Sequence, residues 1–350
     1  MKSKLKPFHG NVLLLICAIL FILIGSEVQA MDMMKGLLIT EFILIMLPAF
    51  IFAFYLKGNI KEEFRFNKFT LKEFFLVTVI MITLYPVAVF LNYIMNALLS
   101  TIGELHVNPI DEIIDTKDFI VTLLVIAGSA GLCEEILFRG FIMRSYEGLG
   151  QWKAILLSGL FFGMFHFNLQ NLLGPILLGI VIGYIVIRTN SLWMGIYAHM
   201  LNNAVAIVLA RLIMLIPDTG EVAEPITLEI LLMTGVILII IAGFFGTLSF
   251  LALKGLKRTT ENKHGVGKNN TLVIEKNIAE ELIHTKPEDT EGIANDENYD
   301  LPTQHETKKV SFWSWIPIIF FVLIFIGMSA LQIFIMRNPE LFFLVIRSFR

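Results

Sequence analysis

Three short patterns place ionisable or hydrogen-bonding side chains inside stretches of otherwise unbroken hydrocarbon. The first is the run Gly131-Leu132-Cys133-Glu134-Glu135-Ile136-Leu137-Phe138-Arg139, embedded in apolar sequence that begins at Phe119. A carboxylate at the centre of a bilayer costs roughly 2.5–3.5 kcal/mol on insertion scales, so two adjacent ones must face a cavity or a partner. Glu135 and Arg139 stand four residues apart and share a helix face, with the glutamate N-terminal, the favourable order for such a pair. Glu134 points about 100° away. Arg139 therefore neutralises Glu135 and leaves Glu134 as the candidate base. The competing reading is a Glu–Arg knot that only locks helices together.

The second pattern is Phe162 and His166, and the third is His199 and Asn203, each again four residues apart. Asn202 points to a different face and reads as a structural asparagine. Taken singly, either histidine pattern reads as an interhelical hydrogen bond. Taken with Glu134, they complete what amide hydrolysis requires. A base removes a proton from water, and preorganised donors hold the oxyanion that develops on the carbonyl.

The elements that must position these residues are membrane spans. The chain has 350 residues, of which 56% are hydrophobic and only 16% charged, with a mean hydropathy of +0.75. Soluble domains are about a quarter charged, so the fold class is an all-α, polytopic transmembrane helix bundle. Apolar runs fall near 11–25, 37–56, 74–98, 119–143, 154–170, 173–187, 192–216, 228–253 and 312–336. They imply eight core spans and a ninth near the C-terminus. The net charge of −3 and the lack of a basic stripe give no nucleic-acid signature. The two cysteines, Cys17 and Cys133, lie in separate apolar runs and imply neither a disulfide nor a zinc cluster.

Lysine and arginine alternate between loops, which puts the N-terminus in the cytoplasm. Lys2, Lys4, Lys6, Lys57, Lys61, Arg65, Lys68, Lys72, Arg144, Lys153, Arg188, Lys254, Lys257 and Arg258 fall on that side. The opposite loops hold Lys35 and Lys117 among Glu104, Asp111, Glu112, Asp115, Asp218, Glu221 and Glu224. The Lys-rich start and Val28-Gln29-Ala30 also fit a removable leader, at the expense of this alternation. At 1.5 Å per residue, Glu134 is about 13 Å from Met143 and His199 about 12 Å from Ser191, which points to a cavity facing the cytoplasm. His166 is about 20 Å from Lys153 by the same rise, so it needs a later helix start or a tilt.

Four regions follow. Residues 1–118 hold three spans and no membrane-buried charge pair. Residues 119–253 hold five spans and the three patterns. Residues 254–311 are a polar cytoplasmic segment whose composition favours disorder. Within it, 259–310 carry 11 acidic and 6 basic residues and offer a surface to a protein partner. Residues 312–350 hold the last span and a tail.

The order Glu134-Glu135-x-x-x-Arg139, Phe162-x-x-x-His166, His199-x-x-x-Asn203 on separate spans resembles the CAAX protease and bacteriocin-processing (Abi-type) family, related to the prenyl-protein endopeptidase. The likeness covers about residues 119–210; the sequence from Lys254 onward is extra to it. The lysine-flanked, short-looped, low-cysteine style of the chain suggests a bacterial plasma membrane. The resemblance implies an endopeptidase that cuts a peptide or membrane-associated protein without a cofactor. It implies that Glu134 activates water with His166 assisting, and that His199 and Asn203 form the oxyanion hole. Glu135 and Arg139 would support the site, and Phe162 would pack beside the histidine. Zinc is the alternative, since Glu134, His166 and His199 are donors of the type catalytic zinc uses. Two further functions compete: a non-catalytic immunity or regulatory scaffold on the same fold, and a proton-coupled transporter. The second would require paired broken helices, which the sequence lacks.

Overall fold

In hydrocarbon each backbone N–H and C=O must be satisfied within its own segment, so uninterrupted apolar runs become helices. A computed structural model describes residues 5–56, 60–105, 119–214, 227–263 and 311–340, and among these no strand occurs. The helices are α1 (Pro7–Met31), α2 (Met33–Tyr55), α3 (Leu71–Ser100) and α4 (Phe119–Leu149). They continue with α5 (Gln151–Phe165), α6 (Leu173–Thr189), α7 (Leu192–Met214), α8 (Leu228–Lys263) and α9 (Ile316–Arg337). Eight are long and apolar enough to cross a membrane, counting the 3₁₀ turns that open α6 and α9; α5 is the shorter one. The protein is an all-α polytopic bundle.

Local chemistry sets several helix starts. Thr70 and Glu73 form a capping box on α3: the Glu73 amide donates to Thr70 Oγ1 at 3.2 Å, and the Thr70 amide donates to Glu73 Oε2 at 2.6 Å. Asp32 Oδ1 accepts the Lys35 amide at 3.0 Å and opens α2. Gly150, at φ 115°, takes a backbone conformation closed to most side chains and turns α4 directly into α5.

The central element is α4. Residues Ile136 to Met143 are buried on all sides, as expected of a helix apolar around its whole circumference. It packs on α7, α1 and α2, while α3 packs on α6 and α8, and α9 packs on α1. The close crossing of α5 and α6 needs small residues. A β-carbon on Gly179 would lie 2.7 Å from the Gly159 Cα. α1 is part of this core, with Leu13, Leu14, Cys17 and Ala18 fully buried and Asn11 hydrogen-bonded to Tyr146.

The basic loops converge at one end of the bundle. Arg65 and Arg144 both pair with Glu147, Asn67 Nδ2 donates to the Asn190 carbonyl, and Arg188 donates to the Lys257 carbonyl.

Several expectations change. α5 stops at Phe165 instead of running to residue 170, and Phe167 takes a left-handed conformation (φ 47°) just beyond it. The regional boundary at 253/254 falls inside α8, which continues to Lys263. The remainder of the polar segment, 264–310, lies outside the described residues, as do acidic loop residues 111, 112, 115, 218, 221 and 224. Wide π-type turns interrupt α1 at Phe21–Gly25, α2 at Thr40–Met46, and α4 at Leu123–Ser129 and Ile136–Ile142. Such turns often accompany functional sites.

Candidate active site

Glu135 and Arg139 are both fully buried and form an ion pair. The guanidinium also donates to the Gly179 carbonyl at 3.0 Å and lies 4.6 Å from the centre of the Phe162 ring. Arg139 thus ties α4 to α5 and α6, and the small-residue crossing keeps that carbonyl within reach. Glu135 has a second partner that the helix spacing did not reveal: its Oε1 lies 3.0 Å from His199 Nδ1 on α7.

Phe162 is the hub between the patterns. Its ring meets His166 edge-on at 5.1 Å and His199 at 5.4 Å between centroids. His166 does not sit within a helix. It caps α5, and its Nδ1 donates to the Phe162 carbonyl at 2.8 Å. In this arrangement a neutral ring keeps its Nε2 lone pair free. The same holds for His199 when its Nδ1–H faces Glu135. An Nε2–H donor at His199 therefore means a doubly protonated ring, balanced by Glu135.

The depth discrepancy moves from His166 to His199. α4 runs to Leu149 and α5 starts at Gln151. Counted from that shared turn, Glu134 and His166 are each 15 residues in, about 22 Å at 1.5 Å per residue. His199 is seven residues into α7 from Leu192, about 10 Å by the same count, so it is α7 that starts deeper than its neighbours.

A cavity of about 650 Å³ is lined by Glu134, His166, His199, Asn202 and Asn203, with Phe162 in its wall. Glu134 Oε2 is buried and has no hydrogen-bond partner. Asn202 does not face away, as its position one residue from Asn203 suggested. Its Nδ2 donates to Asn203 Oδ1 at 3.1 Å, which leaves the Asn203 amide hydrogens available as donors.

Two lining residues were not singled out in the sequence. Glu41, on the π turn of α2, is buried, has an unpartnered Oε2, and interacts electrostatically with Glu134. Its signal was present as a lone carboxylate in the apolar run 37–56. Tyr85 of α3 lines the cavity too.

The cavity occupies one half of the bundle. Its lining comes from the portions of the helices nearest Asp32 and the 166–172 loop, including Gln29, Met33, Asn92, Asn168 and Asn171. The basic loops gather at the other end. The cavity and the basic loops thus lie toward opposite ends of the bundle. The depth count missed this because it stopped α4 six residues short of its actual end. A second, apolar depression of about 590 Å³ between α2, α4 and α7 shares Val125 and Ser129 with the first.

Among the described residues no three His, Cys, Asp or Glu side chains gather at metal-binding separation. The donor set proposed for zinc does not assemble as ligands, and no step below runs through a metal.

A family model described as "Type II CAAX prenyl endopeptidase Rce1-like" matches residues 116–205. Similarity extends to a Bacillus subtilis (strain 168) protein with the curated name "Putative membrane peptidase YdiL". The two are 28% identical over 99 residues, which is 28% of this chain and 41% of that protein. The match thus spans less than half the length of that relative. No solved structure matches the chain. The described part of the matched segment brings Glu134, Glu135, Arg139, Phe162, His166, His199 and Asn203 around one buried cluster and cavity, and it is through this segment that the chain is similar to the Rce1-like CAAX prenyl endopeptidases.

Proposed function

We propose that the protein is an intramembrane endopeptidase in which Glu134 removes a proton from water as that water attacks a peptide carbonyl. The observation that carries this reading is the contrast between neighbours. Glu135 Oε1 holds both Arg139 and His199, whereas Glu134 lines the shared cavity and, among the described residues, neither of its oxygens contacts a basic side chain. His166, whose Nδ1 is held by the Phe162 carbonyl, assists with its free Nε2. Asn203, oriented by Asn202, and His199 supply the donors for the oxyanion.

The substrate is a peptide or a membrane-associated protein segment. An extended backbone cannot enter hydrocarbon without hydrogen-bond partners; along the cavity wall Gln29, Asn168 and Asn171 each keep part of their amide group beyond the bonds they make to Thr40, Gln170, Gln332 and Asn92. The polar segment 264–310 is assigned to partner contacts. With the basic loops in the cytoplasm, the cavity lies in the opposite half of the membrane.

The test is cleavage of a pool of internally quenched peptides by protein purified in detergent. Glu134→Ala and His199→Ala should each lower turnover by at least about 100-fold. Cleavage by both variants at the wild-type rate refutes the protease assignment. Activity that a chelator abolishes and zinc restores refutes the metal-free mechanism.

A further inference from the structure

Hydrolysis carries one proton from water to the departing nitrogen, and the two ends of that transfer can be served by one group or by two. Glu134 takes the proton from water, and a second acid placed in the same cavity can protonate the nitrogen as the C–N bond breaks. We propose that Glu41 is a further catalytic residue, the second carboxyl of a dyad with Glu134, and that it donates this proton. The inference rests on the protease reading above.

Its geometric basis is independent of the family's motifs. Glu41 lies on α2, outside the matched segment, and its π-type turn packs directly against the Ala130–Glu135 stretch of α4. Cys133 Sγ lies 3.8 Å from Met46 Sδ at that same contact. Glu41 is 5% exposed, lines the same cavity as Glu134, and interacts with it electrostatically. Each carboxyl keeps one buried oxygen without a partner. In contrast with Glu135, neither forms an ion-pair or hydrogen-bond contact with a basic side chain among the described residues.

Two carboxyls in one water-poor cavity do not both hold a negative charge; they share a proton. The other titratable groups around the pair are Tyr85 from α3, His166 beyond α5 and His199 from α7, with Cys133 adjoining on α4 and the buried Arg139–Glu135 pair beside Glu134, whose charge Arg139 feels. α1 contributes the uncharged Gln29.

The resting dyad is Glu134 ionised and Glu41 protonated. Water gives a proton to Glu134 while its oxygen bonds to the carbonyl carbon. As the intermediate collapses, the C–N electron pair moves to nitrogen and Glu41 supplies the proton that completes the amine. The dyad then holds its one proton on Glu134, and transfer to Glu41 restores the starting state. The net reaction is water plus amide giving acid plus amine. Activity therefore requires one proton on the pair, and it falls both when the pair holds two protons and when it holds none.

The test uses the full chain in detergent and one peptide taken from the quenched pool. Glu41→Gln should lower kcat about 100-fold with KM unchanged and remove the alkaline limb of the pH profile. Glu41→Asp should restore part of both. Without substrate, the infrared carbonyl band of a buried protonated carboxylic acid should be present in the wild type and absent from Glu41→Gln. If Glu134→Gln is inactive while Glu41→Gln keeps kcat within 3-fold of wild type and an unchanged bell, the dyad is refuted and the protease reading survives. If Glu41→Gln retains the infrared band, the shared proton is refuted. If Glu134→Gln cleaves like wild type, both readings fall.

Discussion

Replacing Glu135 with glutamine should damage folding, and replacing Glu134 should damage only chemistry. Glu135 is fully buried, neutralises a fully buried arginine and accepts from His199. Its isosteric neutral replacement strands the guanidinium with the Gly179 carbonyl and the face of Phe162 as its remaining partners. Uncompensated buried charges of this kind cost about 3–5 kcal/mol, against a total stability of about 5–15 kcal/mol. At about 2 °C per kcal/mol for a chain of this size, Glu135→Gln should melt roughly 6–10 °C below wild type. Glu134→Gln removes only a longer-range attraction on Arg139 and no hydrogen bond or ion-pair contact, and should stay within about 1 kcal/mol. Thermal unfolding in mild detergent, followed by tryptophan fluorescence, measures both. If Glu135→Gln melts within about 2 °C of wild type, or Glu134→Gln loses as much as Glu135→Gln, the division of labour between the two carboxylates is wrong.

Other expectations follow from particular contacts. Gly131→Val drives a branched side chain into α7, since even a β-carbon would lie 2.9 Å from the Met200 amide nitrogen. It should cost about 1–3 kcal/mol and lower turnover by moving His199, as peptide cleavage and melting will report together. Gln332→Ala removes an acceptor 2.8 Å from the Leu169 amide and a donor 3.2 Å from Asn168 Oδ1. Each such bond contributes about 0.5–1.5 kcal/mol, so kcat should fall several-fold through the loop beside His166, with a far smaller change in melting than Glu135→Gln produces. Sidedness is open to labelling, because both native cysteines are buried. A cysteine at Trp152 should react with an impermeant maleimide only after the membrane is opened, and one at Leu105 in intact cells. The reverse pattern overturns the orientation.

The parts legible in the sequence were those governed by spacing along one helix. Glu135 and Arg139 meet because four residues span about one helical turn, and the nine apolar runs became the nine helices from α1 to α9. What required the structure was contact between helices and departures from regular winding. His166 lies off the end of α5, so its partner is the Phe162 carbonyl behind it, not a group across a span. Asn202 joins Asn203 through their side chains, which a helical projection places apart. Glu41 stands alone in Thr40-Glu41-Phe42-Ile43, and a search for charge pairs passes over a single carboxylate whose counterpart is on another helix. The π turns that re-aim side chains on α2 and α4 leave no composition signal at all.

The last helix gives the bundle a non-local dependence. Gln332 and Phe321 of α9 hold the loop beyond α5 from more than 150 positions further along the chain. That hold is noncovalent, and the continuous helix α8 ends well before it. A chain divided between α8 and α9 therefore retains every contact around His166 provided both pieces assemble. Co-expressed as two polypeptides, the halves should reconstitute the site, and the first half alone should not.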